Sequence, residues 1–139
     1  MTPMTSLVAW VAVWAFWLFT TRAFHPTFAL AVIVTTSLVV AYAAAVSLNH
    51  LVLLPRRRAT GRRGRYVLEL AATMAGLTAL ALAVIRVSYL RALGPDPDPN
   101  GVYKHFAIDL FGMAVHLVLA AVVVGVVRRL AYARGTERT

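Results

Sequence analysis

The 139-residue chain has no cysteine and few acids: five Asp and Glu stand against fourteen Lys and Arg, for a formal net charge of +9. Without cysteine there is no disulfide framework, thiol nucleophile, iron–sulfur cluster or cysteine metal site. Charge of either sign is scarce, at 14% of residues, against about 25% in an ordinary soluble domain. A soluble domain near this size buries only about 68% of its unfolded surface and needs polar residues for the rest. The shortage excludes an ordinary soluble globular protein. What is present instead is apolar: 60% of residues are hydrophobic, with a mean hydropathy of +0.75.

A bilayer core about 30 Å thick takes about 20 apolar residues in helix, and four runs meet that length. They predict helices over 3–21, 27–54, 66–91 and 105–129. The runs are continuously apolar and rich in Ala, Leu and Val, not alternating, so they read as helices and not as barrel strands. His25-Pro26 precedes the second, Pro55 closes it, and the Gly/Pro/Asp stretch 94–101 marks a loop. Thr21-Arg22-Ala23 loosely resembles a signal-peptide cleavage site, but no positive n-region precedes the first run. The expectation is an all-α integral membrane protein, a single module over 1–139 with four transmembrane helices in an antiparallel bundle.

Thirteen of the fourteen cations are Arg, and they cluster. Arg56, Arg57, Arg58, Arg62, Arg63 and Arg65 crowd the second connection, and Arg128, Arg129, Arg134 and Arg138 follow the fourth segment. The positive-inside rule puts both groups in the cytoplasm, so both termini are expected there, in a bacterial inner membrane. The first connection holds Arg22, and the third balances Arg91 and Lys104 against Asp96 and Asp98. In a soluble protein the six-Arg cluster would suggest nucleic acid. Beside a bilayer it predicts contact with anionic lipid headgroups, each Arg gaining about 1 kcal/mol, and no nucleic acid is expected as a partner.

Polar groups within the runs are few. His25, His50, His105 and His116 raise the question of a haem- or chlorophyll-type tetrapyrrole between helices. His116, near the middle of the fourth run, is the cofactor-binding candidate; no metal site and no catalytic residue is expected. Arg86 and Asp109 lie a few residues inside the same end of the third and fourth segments, so an ion pair between them is expected; an unpaired charge there costs up to about 3 kcal/mol. Glu69 has a partner at i−4 in Arg65. Trp10, Trp14 and Trp17 fall on one stripe of the first helix, beside Phe16 and Phe19, and predict an outward interface with another protein or a bound lipid or pigment, the alternative being an ordinary lipid-facing stripe. Small-residue ridges through Ser37, Ala41 and Ala45, through Ala75, Ala79 and Ala83, and through Ala121 and Gly125 suit close packing of the other three helices.

The stretch Leu48-Asn49-His50-Leu51-Val52-Leu53-Leu54-Pro55, its Arg-rich turn, and Gly64-Arg65-Tyr66-Val67-Leu68 resemble the four-helix membrane region of LytS/YesM-like sensor histidine kinases. The likeness extends over residues 27–130, including an aspartate early in the fourth helix. It implies a signal-input module. The kinase's phospho-accepting histidine motif, asparagine box and glycine-rich ATP lid have no counterpart in the 139 residues, so no kinase activity is expected. Three expectations follow. The first is a non-catalytic accessory subunit packed laterally in a larger membrane complex, respiratory or photosynthetic among others, with lipids and other membrane subunits as partners. The second is the signal-input module, and the third a haem- or quinone-binding membrane anchor.

Overall fold

The computed structural model describes residues 3–95 and 101–136, with side chains over 7–95, 101, 103–126 and 129. All regular structure among them is helical: α1 (Pro3–Thr21), a 3₁₀ turn (Arg22–Phe24), α2 (Phe28–Leu48), a π-helical turn (Asn49–Leu53), α3 (Leu54–Thr60), α4 (Arg63–Leu93) and α5 (Gly101–Thr136). Segments of α1, α2–α3, α4 and α5 are each long and apolar enough to cross a membrane.

Local chemistry sets the breaks. The hydroxyls of Thr20 and Thr21 bond back to the carbonyls of Phe16 and Trp17 at the end of α1. His25 is extended (φ −110°, ψ 139°), as a residue before proline prefers. Thr27 then caps α2, its Oγ1 accepting from the Leu30 amide at 3.2 Å.

Pro55 does not stop the second helix. The backbone shifts to the wider π register, in which the Leu54 amide donates to the Asn49 carbonyl. The proline then enters at the first turn of α3, the part of a helix that best tolerates it. α3 ends at Gly61, left-handed at φ 66°, whose amide donates to the Arg57 carbonyl at 2.8 Å. The expected Arg-rich loop is therefore mostly helix: only residues 61 and 62 separate α3 from α4. α4 begins three residues earlier than expected, and α5 runs seven residues further, to Thr136. Residues 96–100, including Asp96 and Asp98, and the side chains of Arg128, Arg134 and Arg138 lie outside the described residues.

α2 is the central helix, lying against α1, α4 and α5, while α4 also packs on α5. Ala41, Tyr42 and Ala45 of α2 form the core with Ala81 of α4 and Met113 of α5; Trp10, Leu38, Met74 and Leu77 pack around it. Thr78, fully buried, points its hydroxyl at the Met113 sulfur. The ridge through Ala41 and Ala45 thus serves helix packing as expected. Those of α4 and α5 do not: Ala79 and Ala83 are exposed and line a cavity, and Ala121 and Gly125 are exposed. Where lipid is the solvent, burial gives little drive for helix association, and close backbone approach with interhelical hydrogen bonds replaces it.

Candidate functional site

The α1–α2 and α4–α5 connections lie at one end of the bundle, which opens there into a cavity of about 1070 Å³ running down to Tyr42 and Gly112. Its walls are apolar, with Leu38 and Val39 from α2, Leu82 and Ile85 from α4, and Phe106 and Ile108 from α5. Set among them are the polar groups of His25, Thr35, Arg86, Tyr89, His105 and Asp109. At the mouth, His25 Nδ1 lies 2.6 Å from the Tyr89 hydroxyl. This bond ties the α1–α2 connection to α4, and burial holds the His25 imidazole below its usual value of 6.5.

The structure brings Arg86 and Asp109 to the same cavity, as their matched depths predict, but not into contact. Among the described residues no carboxylate lies within 4.0 Å of Arg86 and no cation within 4.0 Å of Asp109, and neither side chain has a hydrogen-bond partner. The expected direct ion pair is not formed. Consecutive helices at equal depth fix height but not the angular position of each side chain, and these two line one cavity without meeting. His105, one turn before Asp109, is near enough to act on the carboxylate through space, without a hydrogen bond between them.

The Trp stripe is not wholly outward. Its three indoles, expected on an outward surface, reach partners in the bundle, while Trp17 stays 37% exposed. Trp10 packs on the core, the Trp14 N–H donates to Thr36 Oγ1 of α2 at 3.0 Å, and the Trp17 N–H donates to His116 Nε2 of α5 at 3.3 Å. An indole N–H in an apolar surrounding needs an acceptor, and α2 and α5 supply two. The exposed face of α1 comprises Leu7, Val8, Val11, Phe16 and Phe19, with Trp17 at its edge.

His116 consequently has both ring nitrogens engaged. Trp17 can only donate, so Nε2 accepts, and Nδ1 carries the proton toward the Gly112 carbonyl 2.7 Å away. The Tyr42 ring lies 4.5 Å from the imidazole, centroid to centroid. Ligation of a tetrapyrrole by Nε2 would require displacing Trp17, and no group of three or more metal-ligating side chains occurs among the described residues. His50 differs: its Nε2 is buried without a partner at the opposite end of the bundle.

That opposite end carries the arginines. Glu69 accepts from Arg65 Nε at 2.7 Å, the expected i−4 partner, and lies 3.4 Å from Arg56 Nη1. The Arg57 guanidinium covers the Tyr66 ring at 5.1 Å, and the Tyr66 hydroxyl donates to the buried Asn49 Oδ1 at 2.9 Å. Arg58, Arg62 and Arg63 are exposed, without a protein partner among the described residues. Sequence reasoning did not anticipate the Tyr42–His116–Trp17 cluster, the His25–Tyr89 bond or the π turn. Comparison with protein-family models, curated proteins and solved structures returns no match.

Proposed function

We propose that the chain is a non-catalytic signal-input module of a bacterial inner membrane, both termini cytoplasmic, that receives an amphipathic ligand between α2, α4 and α5. The observation that carries this reading is the cavity itself: drug-sized, largely apolar, and lined by Arg86 and Asp109, neither of which has an ion-pair partner among the described residues. A path to the other face supports it. α4 and α5 both line the cavity and continue as unbroken helices of 31 and 36 residues, the latter about 54 Å long. α4 reaches the Arg-rich end directly, where Tyr66 and Glu69 couple it to the α2–α3 bend through Asn49 and Arg56. The likeness of this bend to that of LytS/YesM-like sensors is in keeping with such a role.

Extraction from native membranes into lipid nanodiscs, followed by mass spectrometry of bound small molecules, tests the reading. The expected result is a stoichiometric amphipathic adduct that is lost in Arg86→Gln. Spin labels at Thr60→Cys and Arg129→Cys should report different separations before and after its removal. No adduct, together with an unchanged separation, would refute the module. A second reading, the lateral accessory subunit, rests on the wholly exposed outer face of α1; it predicts instead a fixed co-purifying protein chain and no small molecule.

A further inference from the structure

The cavity places a guanidinium on α4 and a carboxylate on α5 within one apolar enclosure, with no ion pair between them. Among the described residues neither charge has an ion-pair or hydrogen-bond partner, His105 acting on Asp109 only through space, and opposite charges held apart are costly where the dielectric is low. Arg86 has a long apolar stem and can reach toward the cavity mouth; Asp109, with a single methylene, cannot relieve its position that way. An anion in the cavity would satisfy Arg86 and leave Asp109 facing a like charge, while a cation would do the reverse. A molecule carrying both signs satisfies both. Around the two charges the walls are aliphatic and aromatic, from Leu38, Val39, Leu82 and Phe106, and the volume of about 1070 Å³ exceeds what an ion or a few waters fill.

We infer that the cavity binds a zwitterionic amphiphile, its anionic group at Arg86, its cationic group at Asp109 and its apolar body between α2, α4 and α5. This rests on the ligand-receiving reading above and adds the chemical class of the ligand. The class has two sources, a zwitterionic phospholipid of the surrounding bilayer or a single-chain amphiphile arriving from water. Specificity follows from the pair: each charge rejects the ligand that lacks its complement by leaving the other unpaired.

The test uses the full chain in phosphatidylglycerol nanodiscs and four probes sharing one tail: dodecylphosphocholine, dodecyl phosphate, dodecyltrimethylammonium and dodecyl maltoside. Binding is read from the fluorescence of Trp17, which lines the cavity. The zwitterion is expected to bind at least tenfold more tightly than the other three. Asp109→Asn should move the preference to dodecyl phosphate, and Arg86→Gln to dodecyltrimethylammonium; a purely structural role for either residue would weaken all probes alike. Because the two variants are expected to switch preference in opposite directions, a loss of folding cannot imitate the result. Competition by phosphatidylethanolamine added to the disc would assign the zwitterion to the bilayer, and its absence would assign it to the aqueous side. Preference of the wild type for the anionic, cationic or neutral head overturns the zwitterion and leaves the cavity a ligand site of another class. Absence of saturable binding by all four probes overturns the ligand-receiving reading itself.

Discussion

At the scale of single residues, two contacts near the cavity make sharp demands. A Cβ built on Gly112 would stand 2.8 Å from the Tyr42 hydroxyl and 3.5 Å from the ring carbon that bears it. The hydroxyl is therefore the obstacle, and the ring itself is at ordinary contact distance. Gly112→Ala should cost about 1–3 kcal/mol through overpacking, and well under half of that in a Tyr42→Phe background, where the obstructing oxygen is gone. Reversible unfolding in mixed micelles measures both; equal costs in the two backgrounds would show that the Tyr42 hydroxyl is not the limiting contact. His25 supplies a pH dependence. Its imidazole is held below 6.5 by burial, so the folded state prefers the neutral ring. The corresponding stabilisation is complete above pH 6.5 and is lost as pH falls through the lowered folded value. His25→Gln should flatten that part of the melting-temperature profile between about pH 7.5 and 5, and an unaltered acid slope in the variant would assign it to other groups.

Among the elements, the bend between α2 and α4 is the most constrained. Asn49 is buried within a turn whose register already departs from the α-helix, and its Oδ1 relies on the Tyr66 hydroxyl at the start of α4. Tyr66→Phe should destabilise the bundle by about 1 kcal/mol, because a buried acceptor loses its donor. In an Asn49→Leu background the same change should cost almost nothing, and additive losses in the double variant would show that the two side chains do not act together. Helix number, approximate length and the grouping of arginines were legible in the sequence, since continuous apolar runs and Arg clusters need no tertiary information. The bend was not. Proline announces a broken hydrogen-bond ladder, but whether the chain stops or widens into a π turn depends on tertiary contacts at the bend, here the Tyr66 hydroxyl of α4 on the Asn49 side chain. The bonding of the Trp14 and Trp17 indoles to α2 and α5 was hidden for a related reason. α1 is apolar all round, so no polar face marks its outside, and the acceptors that orient its indoles sit 22 and 99 residues away.

For the molecule as a whole, the two ends of the bundle differ in charge. At the end formed by α3 and the first turn of α4 stand Arg56, Arg57, Arg58, Arg62, Arg63 and Arg65, with Glu69 engaging two of them. The opposite end has Arg22 at the α1–α2 connection, Arg91 at the close of α4, and Lys104 and His105 at the opening of α5. Positive charge near short connections opposes translocation, so the Arg-rich end is expected in the cytoplasm and the cavity mouth on the other side. Arg58, Arg62 and Arg63, exposed and without protein partners among the described residues, would then meet the anionic headgroups of the inner leaflet. Single cysteines at Arg22, Thr60 and Pro95, probed in intact cells with a membrane-impermeant maleimide, test the orientation. Cysteine at 22 and 95 should label from outside, and cysteine at 60 only after permeabilisation. Replacing Arg58, Arg62 and Arg63 by Gln should remove about 3 kcal/mol of headgroup attraction while leaving Arg56 and Arg65 on Glu69. The triple variant should therefore keep its melting temperature in zwitterionic discs and lose the extra stability that phosphatidylglycerol confers on the wild type. External labelling at 60 with protection at 95 would invert the molecule, moving the cavity mouth to the cytoplasmic side and separating these arginines from the lipids that their charge favours.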